Sequence, residues 1–181
     1  WAGAASSDNA YTLLQGNDLL GEMIISRLPV NNPAETQTVV DKTLNYPSTF
    51  PAARAHSTLW IADRPDSDLP GNGTQFHTAS DETIDELADG FSATRVYYCN
   101  PTINTCPAEP WIYTTVTSSP PYPPGAREAL VSNFSQGNLL VHFTGHGSTT
   151  VWGKEFIYWS AWISDGGVNQ LTNGSALSYL L

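Results

Sequence analysis

The sequence predicts an α/β fold, a mostly parallel sheet layered between helices, and three observations carry that expectation. Compact apolar runs recur at 57–63 (STLWIAD), 93–99 (ATRVYYC) and 138–145 (NLLVHFTG), each bounded by turn residues and too short to be an ordinary helix. Helical patterns stand beside them at 33–46, 81–90 and 125–137. Strands alternating with helices at this spacing indicate parallel strands joined by helical crossovers. In such folds ligands gather beyond the carboxyl ends of the strands, where Asp63 and His146 stand.

In chain order, YTLLQGND (11–18) and GEMIISRLP (21–29) read as two short strands separated by polar turn residues. The first helix has a well-marked start. Asn32 is its N-cap, Pro33 takes the first helical position and Glu35 sits at capping-box spacing. Val39, Val40, Thr43 and Leu44 form its expected inner face, and Pro47 its expected end. A polar loop follows the strand at 57–63. Ser80 is then expected to cap the helix at 81–90, whose first turn is acidic. Residues 100–124 are dense in Pro, Ser and Thr and read as a loop insertion. The helix at 125–137 leads into the strand at 138–145.

Composition narrows the function classes. At 181 residues the chain has the size of one domain. Its net charge is −10 and its only lysines are Lys42 and Lys154, so no basic patch can track phosphates and nucleic acid is a poor partner. No run has the length of a membrane span. Cys99 and Cys106 bracket the turn-rich NPTINT and read either as a small disulfide ring or as two unrelated buried thiols. A disulfide would imply an oxidising compartment. Sequons at Asn72, Asn133 and Asn173 fit an extracellular or cell-surface setting.

The chemistry concentrates in TGHGSTTVWG, residues 144–153. A histidine between glycines at a strand end reads as a tight turn or as a catalytic imidazole. The second role needs an approachable ring and a fixed tautomer, and neighbouring N–H groups can bind an oxyanion. Ser148 lacks the G-x-S-x-G elbow of a serine hydrolase. His142 is expected to be a packed or hydrogen-bonded residue. His56 and His77 lie in polar loops and could pair on a metal, although no zinc spacing supports them. Trp152, Trp159 and Trp162 would wall a cleft or fill the core.

SDNAYTLLQGNDLLGEMIISRLPV, DKTLNYP, LWIAD, TGHGSTTVWG and QLTNGSALSYLL occur in that order. Together they resemble the catalytic domain of the gingipain-type cysteine peptidases, a caspase-like group, over nearly the whole chain apart from 100–124. The resemblance implies a caspase-like three-layer sandwich and peptide-bond hydrolysis by a Cys–His dyad. It makes residues 1–181 an internal part of one such domain, incomplete at both ends, with the remainder of that domain as a partner and a protein or peptide as substrate. His146 matches the family's catalytic histidine, and Gly147 the residue whose N–H helps hold the oxyanion. The nucleophilic cysteine falls a few residues beyond Leu181, and neither Cys99 nor Cys106 matches it.

The family's histidine-orienting carboxylate matches Pro65. Asp63, and after it Asp66, are the nearby acids able to replace it. The acidic residue that selects arginine in some gingipains has no counterpart, since Gln75 and Phe76 hold the nearest positions. No cofactor is required. Structural calcium, known in some members, has only Asp18, Asp66 and Asp68 as candidates, at a spacing that fits no loop motif. A secretion-linked transpeptidase of the same group and a non-catalytic surface or assembly protein retaining the fold are the alternatives.

Overall fold

The computed structural model describes residues 11–16, 21–25, 28, 30–65, 75–115, 123–159, 167–174 and 176–180. The chain divides into two compact units, Trp1–Leu44 and Asn45–Leu181.

In the first unit, the two strands expected at 11–18 and 21–29 do not form among the described residues. Residues 11–16 and 21–25 are turns, bends and irregular chain. One backbone hydrogen bond, from Glu22 N–H to Thr12 O, links them, and Leu14 N–H donates to the Glu22 side chain instead of to a ladder partner. Apolar content suggested strands, yet Leu14 and Ile24 are exposed, so no buried face fixes a register.

The helix α1, Pro33–Thr49, starts as its sequence requires. Asn32 Oδ1 accepts Glu35 N–H at 3.0 Å, and Glu35 reaches back to Asn31 N–H at 2.7 Å. Pro47 does not end it. The helix runs through that residue, and Phe50 N–H donates to Tyr46 O beyond it. Proline removes one donor near the end of a helix, and the last turn survives that loss. The expected inner face is also corrected. None of the helix's residues is buried, and Leu44 is 75% exposed.

The second unit is built on a five-stranded sheet. Its strands are β1 (Ser57–Ala62), β2 (Ser92–Tyr98), β3 (Ile112–Tyr113), β4 (Leu140–Thr144) and β7 (Tyr179–Leu180), in spatial order β3-β2-β1-β4-β7. All four pairings are parallel. Central β1 is buried at every position, as expected of a parallel strand covered on both faces. Alternate residues face opposite layers. Leu59 and Ile61, with Val96, Tyr98 and Val141, pack on Ala126 and Leu130 of α3 (Pro124–Ser135). Trp60, Ala62 and Tyr97 pack on Phe76, Ile84 and Leu87, the first two from α2 (Gln75–Asp85). Helix, sheet and helix make the three layers that the sequence predicted.

Within 100–124, residues 112–113 add the edge strand β3. Cys99 and Cys106 form a disulfide. The helix expected at 81–90 begins earlier, at Gln75. Ser80 is therefore no cap. It is buried inside α2, where its hydroxyl donates to Thr144 Oγ1. After β4, the short strands β5 (Val151–Trp152) and β6 (Tyr158–Trp159) pair antiparallel as a separate hairpin. Among the described residues no helix is long and apolar enough to cross a membrane.

Candidate active site

The site grows from the register of two strands. β1 and β4 run side by side with Ala62 opposite Thr144. Asp63 and Gly145 therefore leave the sheet together, tied by Asp63 N–H donating to Thr144 O at 3.0 Å. A Cβ on Gly145 would stand 2.3 Å from Asp63 Cβ and 3.0 Å from Phe143 Cζ. The missing side chain is what lets the aspartate carboxylate lie against the chain leading to His146.

Asp63 is fully buried, and a buried carboxylate must be hydrogen-bonded. Its Oδ1 accepts Arg64 N–H at 2.8 Å. Its Oδ2 accepts the backbone N–H of His146 at 3.2 Å and of Lys154 at 3.3 Å, and lies 2.7 Å from His146 Nδ1. An ionised carboxylate only accepts, so we assign the imidazole proton to Nδ1 and the lone pair to Nε2. The His146 side chain is 27% exposed. Phe76, from the first turn of α2, meets its ring edge-on at 5.1 Å and an interplanar angle of 86°. The ring is thus held by a carboxylate on one edge and an aromatic wall beside it, while part of it stays open to solvent.

Beyond the histidine the chain doubles back. His146 O accepts Gly153 N–H at 2.7 Å, and Val151 O accepts Ser148 N–H at 3.0 Å. Gly147 lies opposite Trp152 between these bonds, in the wide, non-hydrogen-bonded position of an antiparallel pair. Its N–H therefore points out of the hairpin. Gly147 is exposed, and a Cβ there would meet only Val151 O, at 3.5 Å. The two glycines flanking His146 thus differ in purpose. Gly145 is forced by contact with Asp63, whereas space alone does not require Gly147.

Of the acids proposed from sequence, the structure brings Asp63 to the histidine. Asp18, Asp66 and Asp68 lie outside the described residues. Pro65, at the position matching the family's carboxylate, offers its carbonyl oxygen to Arg64 Nη1 at 3.2 Å and Asn104 Nδ2 at 3.4 Å. His56 and His77 do not pair on a metal. His56 precedes β1 and packs edge-on against Phe91, whereas His77 lies near the other end of the sheet, with Nε2 3.0 Å from Tyr98 O and its ring stacked on Tyr97. Burial holds the His77 imidazole below its ordinary pKa. His142 is a packed residue, against Trp60 and Thr144, and is shifted down for the same reason. Trp152 stacks on Phe143, and the Trp159 ring lies under the Arg127 guanidinium. Trp162 lies outside the described residues. No group of three or more His, Cys, Asp or Glu side chains able to hold a metal occurs among the described residues.

Sequence reasoning missed Arg64 and Glu155, and it missed the place of Phe76 beside the histidine. The signal for Phe76 was present. Phe76, Ile84 and Leu87 lie at helical spacing, and all three pack on the same face of the sheet. Arg64 and Glu155 form a buried ion pair across 91 residues of sequence, which no local pattern announces.

Comparison with known proteins gives the family and the fold. The family model of peptidase family C25 matches residues 2–181. The chain belongs to peptidase family C25. It is 24% identical over 177 residues to gingipain R2 of Porphyromonas gingivalis strain ATCC 33277, covering 96% of this chain and 20% of that relative. Identity to gingipain R1 of Porphyromonas gingivalis is also 24%, over 96% of this chain and 15% of that relative. Among solved structures it resembles the crystal structure of the arginine-specific cysteine proteinase gingipain R, with a TM-score of 0.63 and 22% identity, over 96% of this chain and 34% of that one. The fold therefore matches the caspase-like fold of gingipain R over the part of that structure covered. The chain spans a fifth or less of the length of these two curated relatives.

Proposed function

We propose that this C25 chain contributes the histidine side of a cysteine endopeptidase site and that the full protein hydrolyses peptide bonds. The observation that carries the reading is the 2.7 Å contact between His146 Nδ1 and the buried Asp63 carboxylate, at the strand ends where such folds bind ligands. Asp63 orients the imidazole and stabilises its protonated form, in the role that an aspartate plays beside the histidine of serine peptidases. β7 lies next to β4 and parallel to it, so a chain continuing β7 leaves the sheet at the edge where His146 stands. A cysteine there would be the nucleophile. His146 Nε2 takes the thiol proton, the thiolate attacks the scissile carbonyl, and the outward Gly147 N–H helps hold the oxyanion. The imidazolium then protonates the leaving amine. Water, deprotonated by the same nitrogen, releases the acid product.

The disulfide Cys99–Cys106 supports an extracellular or cell-surface setting. The arginine preference stated for gingipain R is not transferred, because the nearest positions to its arginine-selecting acid hold Gln75 and Phe76, neither of them acidic. The test is His146→Ala in the full-length protein, assayed on unstructured polypeptide substrates. Loss of activity by about 10³-fold or more is expected for a catalytic base, by analogy with triad deletions. Full activity in the variant would overturn the assignment, and an inactive parent protein would favour a non-catalytic surface role.

A further inference from the structure

Two backbone N–H groups that hold the Asp63 carboxylate come from different loops. Arg64 N–H belongs to the loop after β1, and Lys154 N–H to the turn between β5 and β6. The side chain of Arg64 and that of Lys154's neighbour, Glu155, join those same two loops. Arg64 Nε donates to Glu155 Oε1, and Arg64 Nη1 donates to Pro65 O. Both side chains are nearly inaccessible, at 11% and 9%. The ring closed by the disulfide touches the same two loops. Asn104 Nδ2 donates to Pro65 O, and Asn100 Nδ2 lies 3.5 Å from Glu155 Oε1.

An ion pair buried this deeply is a poor source of stability, because desolvating both charges offsets their attraction. Here the imbalance is visible. Glu155 Oε2 and the Tyr98 hydroxyl are buried without a hydrogen-bond partner among the described residues. What the pair does supply is a fixed distance between two loops, through a guanidinium whose planar fork tolerates little rotation.

We propose that Arg64 and Glu155 are positioning residues for the catalytic histidine: their ion pair clamps the two loops whose N–H groups aim the Asp63 carboxylate at His146. The inference rests on the peptidase reading for its consequence in catalysis, but not for its geometry. The clamp acts through Asp63 and touches no substrate.

The test uses the full-length protein and the double variant Arg64→Met/Glu155→Met, which removes both charges without leaving either orphaned. Three readouts are taken: thermal unfolding, the low-field proton resonance of His146 Nδ1–H donating to a carboxylate, and kcat and KM separately. The expected result is retained cooperative unfolding, loss or upfield shift of the Nδ1 proton resonance, and a fall in kcat of up to about 10²-fold, the cost of an ångström-scale misplacement, with KM nearly unchanged. A folded double variant with the parent's resonance and kcat would overturn the proposal. Should the double variant not fold, Glu155→Gln, which keeps the acceptor and the shape, is read by the same resonance. A shift supports the clamp, and an unchanged signal overturns it. If the parent hydrolyses no peptide, the peptidase reading fails by itself and the resonance still decides the positioning role.

Discussion

The two faces of the main sheet are made from alternate residues of the same strands, yet they do different work. The α3 face is a plain apolar core, in which Leu59, Ile61, Val96 and Val141 meet Ala126 and Leu130. The α2 face is a mixture. Trp60 packs at a tilt against His142, Tyr97 lies against His77 and donates to Asp81, and Ser80 reaches Thr144. At the carboxyl end of the strands the two faces meet. Asp63 continues the parity of Leu59 and Ile61, His146 continues that of His142 and Thr144, and Gly145 lies between them. The α3 face is thus apolar up to the strand end, where its parity passes to the Asp63 carboxylate, while the other face carries hydrogen-bonded groups up to the imidazole and walls it with Phe76.

If that division holds, damage to the α3 face should cost stability and leave the chemistry alone. Leu130→Ala empties a fully buried position and is expected to destabilise the protein by about 2–5 kcal/mol, as transfer and cavity terms add. Below its lowered melting temperature the folded fraction should keep the parent's kcat and KM. A large fall in kcat at temperatures where the variant remains folded would show that the faces are not separable.

How much of this was legible follows from where the information lies. The strand 57–62 is a complete signal, because a parallel strand buried at every position carries a compact apolar run, whereas 92–98 is legible from its buried second half, Val96–Tyr98. The start of α1 was equally readable, since Asn32 and Glu35 satisfy one another locally around Pro33. The start of α2 was not. Ser80 and the acids after it imitate a cap, and the true first turn, Gln75-Phe76-His77, owes its place to contacts with Tyr97, Tyr98 and His146. The apolar residues of 11–28 promised strands by composition, but a strand needs a partner and a buried face, neither of which composition specifies. Asp63 and His146 were legible as strand-end residues. Their 2.7 Å contact was not, because it depends on the Ala62–Thr144 register.

The seam between the faces gives a smaller and more specific effect. Gly145→Ala forces a methyl group into Asp63 and Phe143 and is expected to cost about 1–3 kcal/mol, the usual penalty of overpacking. Because the displaced atoms are those of Asp63, kcat should fall with stability. Gly147→Ala is the matched control. Its Cβ makes an ordinary contact with Val151 O, so stability should stay within about 0.5 kcal/mol of the parent, and any loss of activity would reflect access to the outward N–H. Equal destabilisation by the two substitutions, measured by denaturant unfolding, would remove the steric distinction between them.

The smallest effect separates the faces by titration. On the α2 face His77 is buried, and desolvation holds its pKa below the ordinary value despite the carboxylates of Asp81 and Asp63 and the carbonyl of Tyr98. The folded protein therefore binds this proton less readily than the unfolded chain does. A depressed histidine pKa makes its contribution complete above the unfolded value of about 6.5, and the protein loses stability as pH falls from there toward the folded value. His142, also shifted down by burial on the same face, acts with the same sign, so the total slope belongs to both. Leu130 carries no titrating group and packs in the apolar cluster of Leu59, Ile61, Val96 and Val141, so Leu130→Ala should lower the whole stability–pH curve without changing its shape. His77→Gln, with an amide able to donate to Tyr98 O, should instead flatten the curve between pH 6.5 and the folded pKa. Unfolding free energies measured across that range for the parent and the two variants decide it, and an unaltered slope in His77→Gln would mean that the buried imidazole takes up its proton without opening the α2 face.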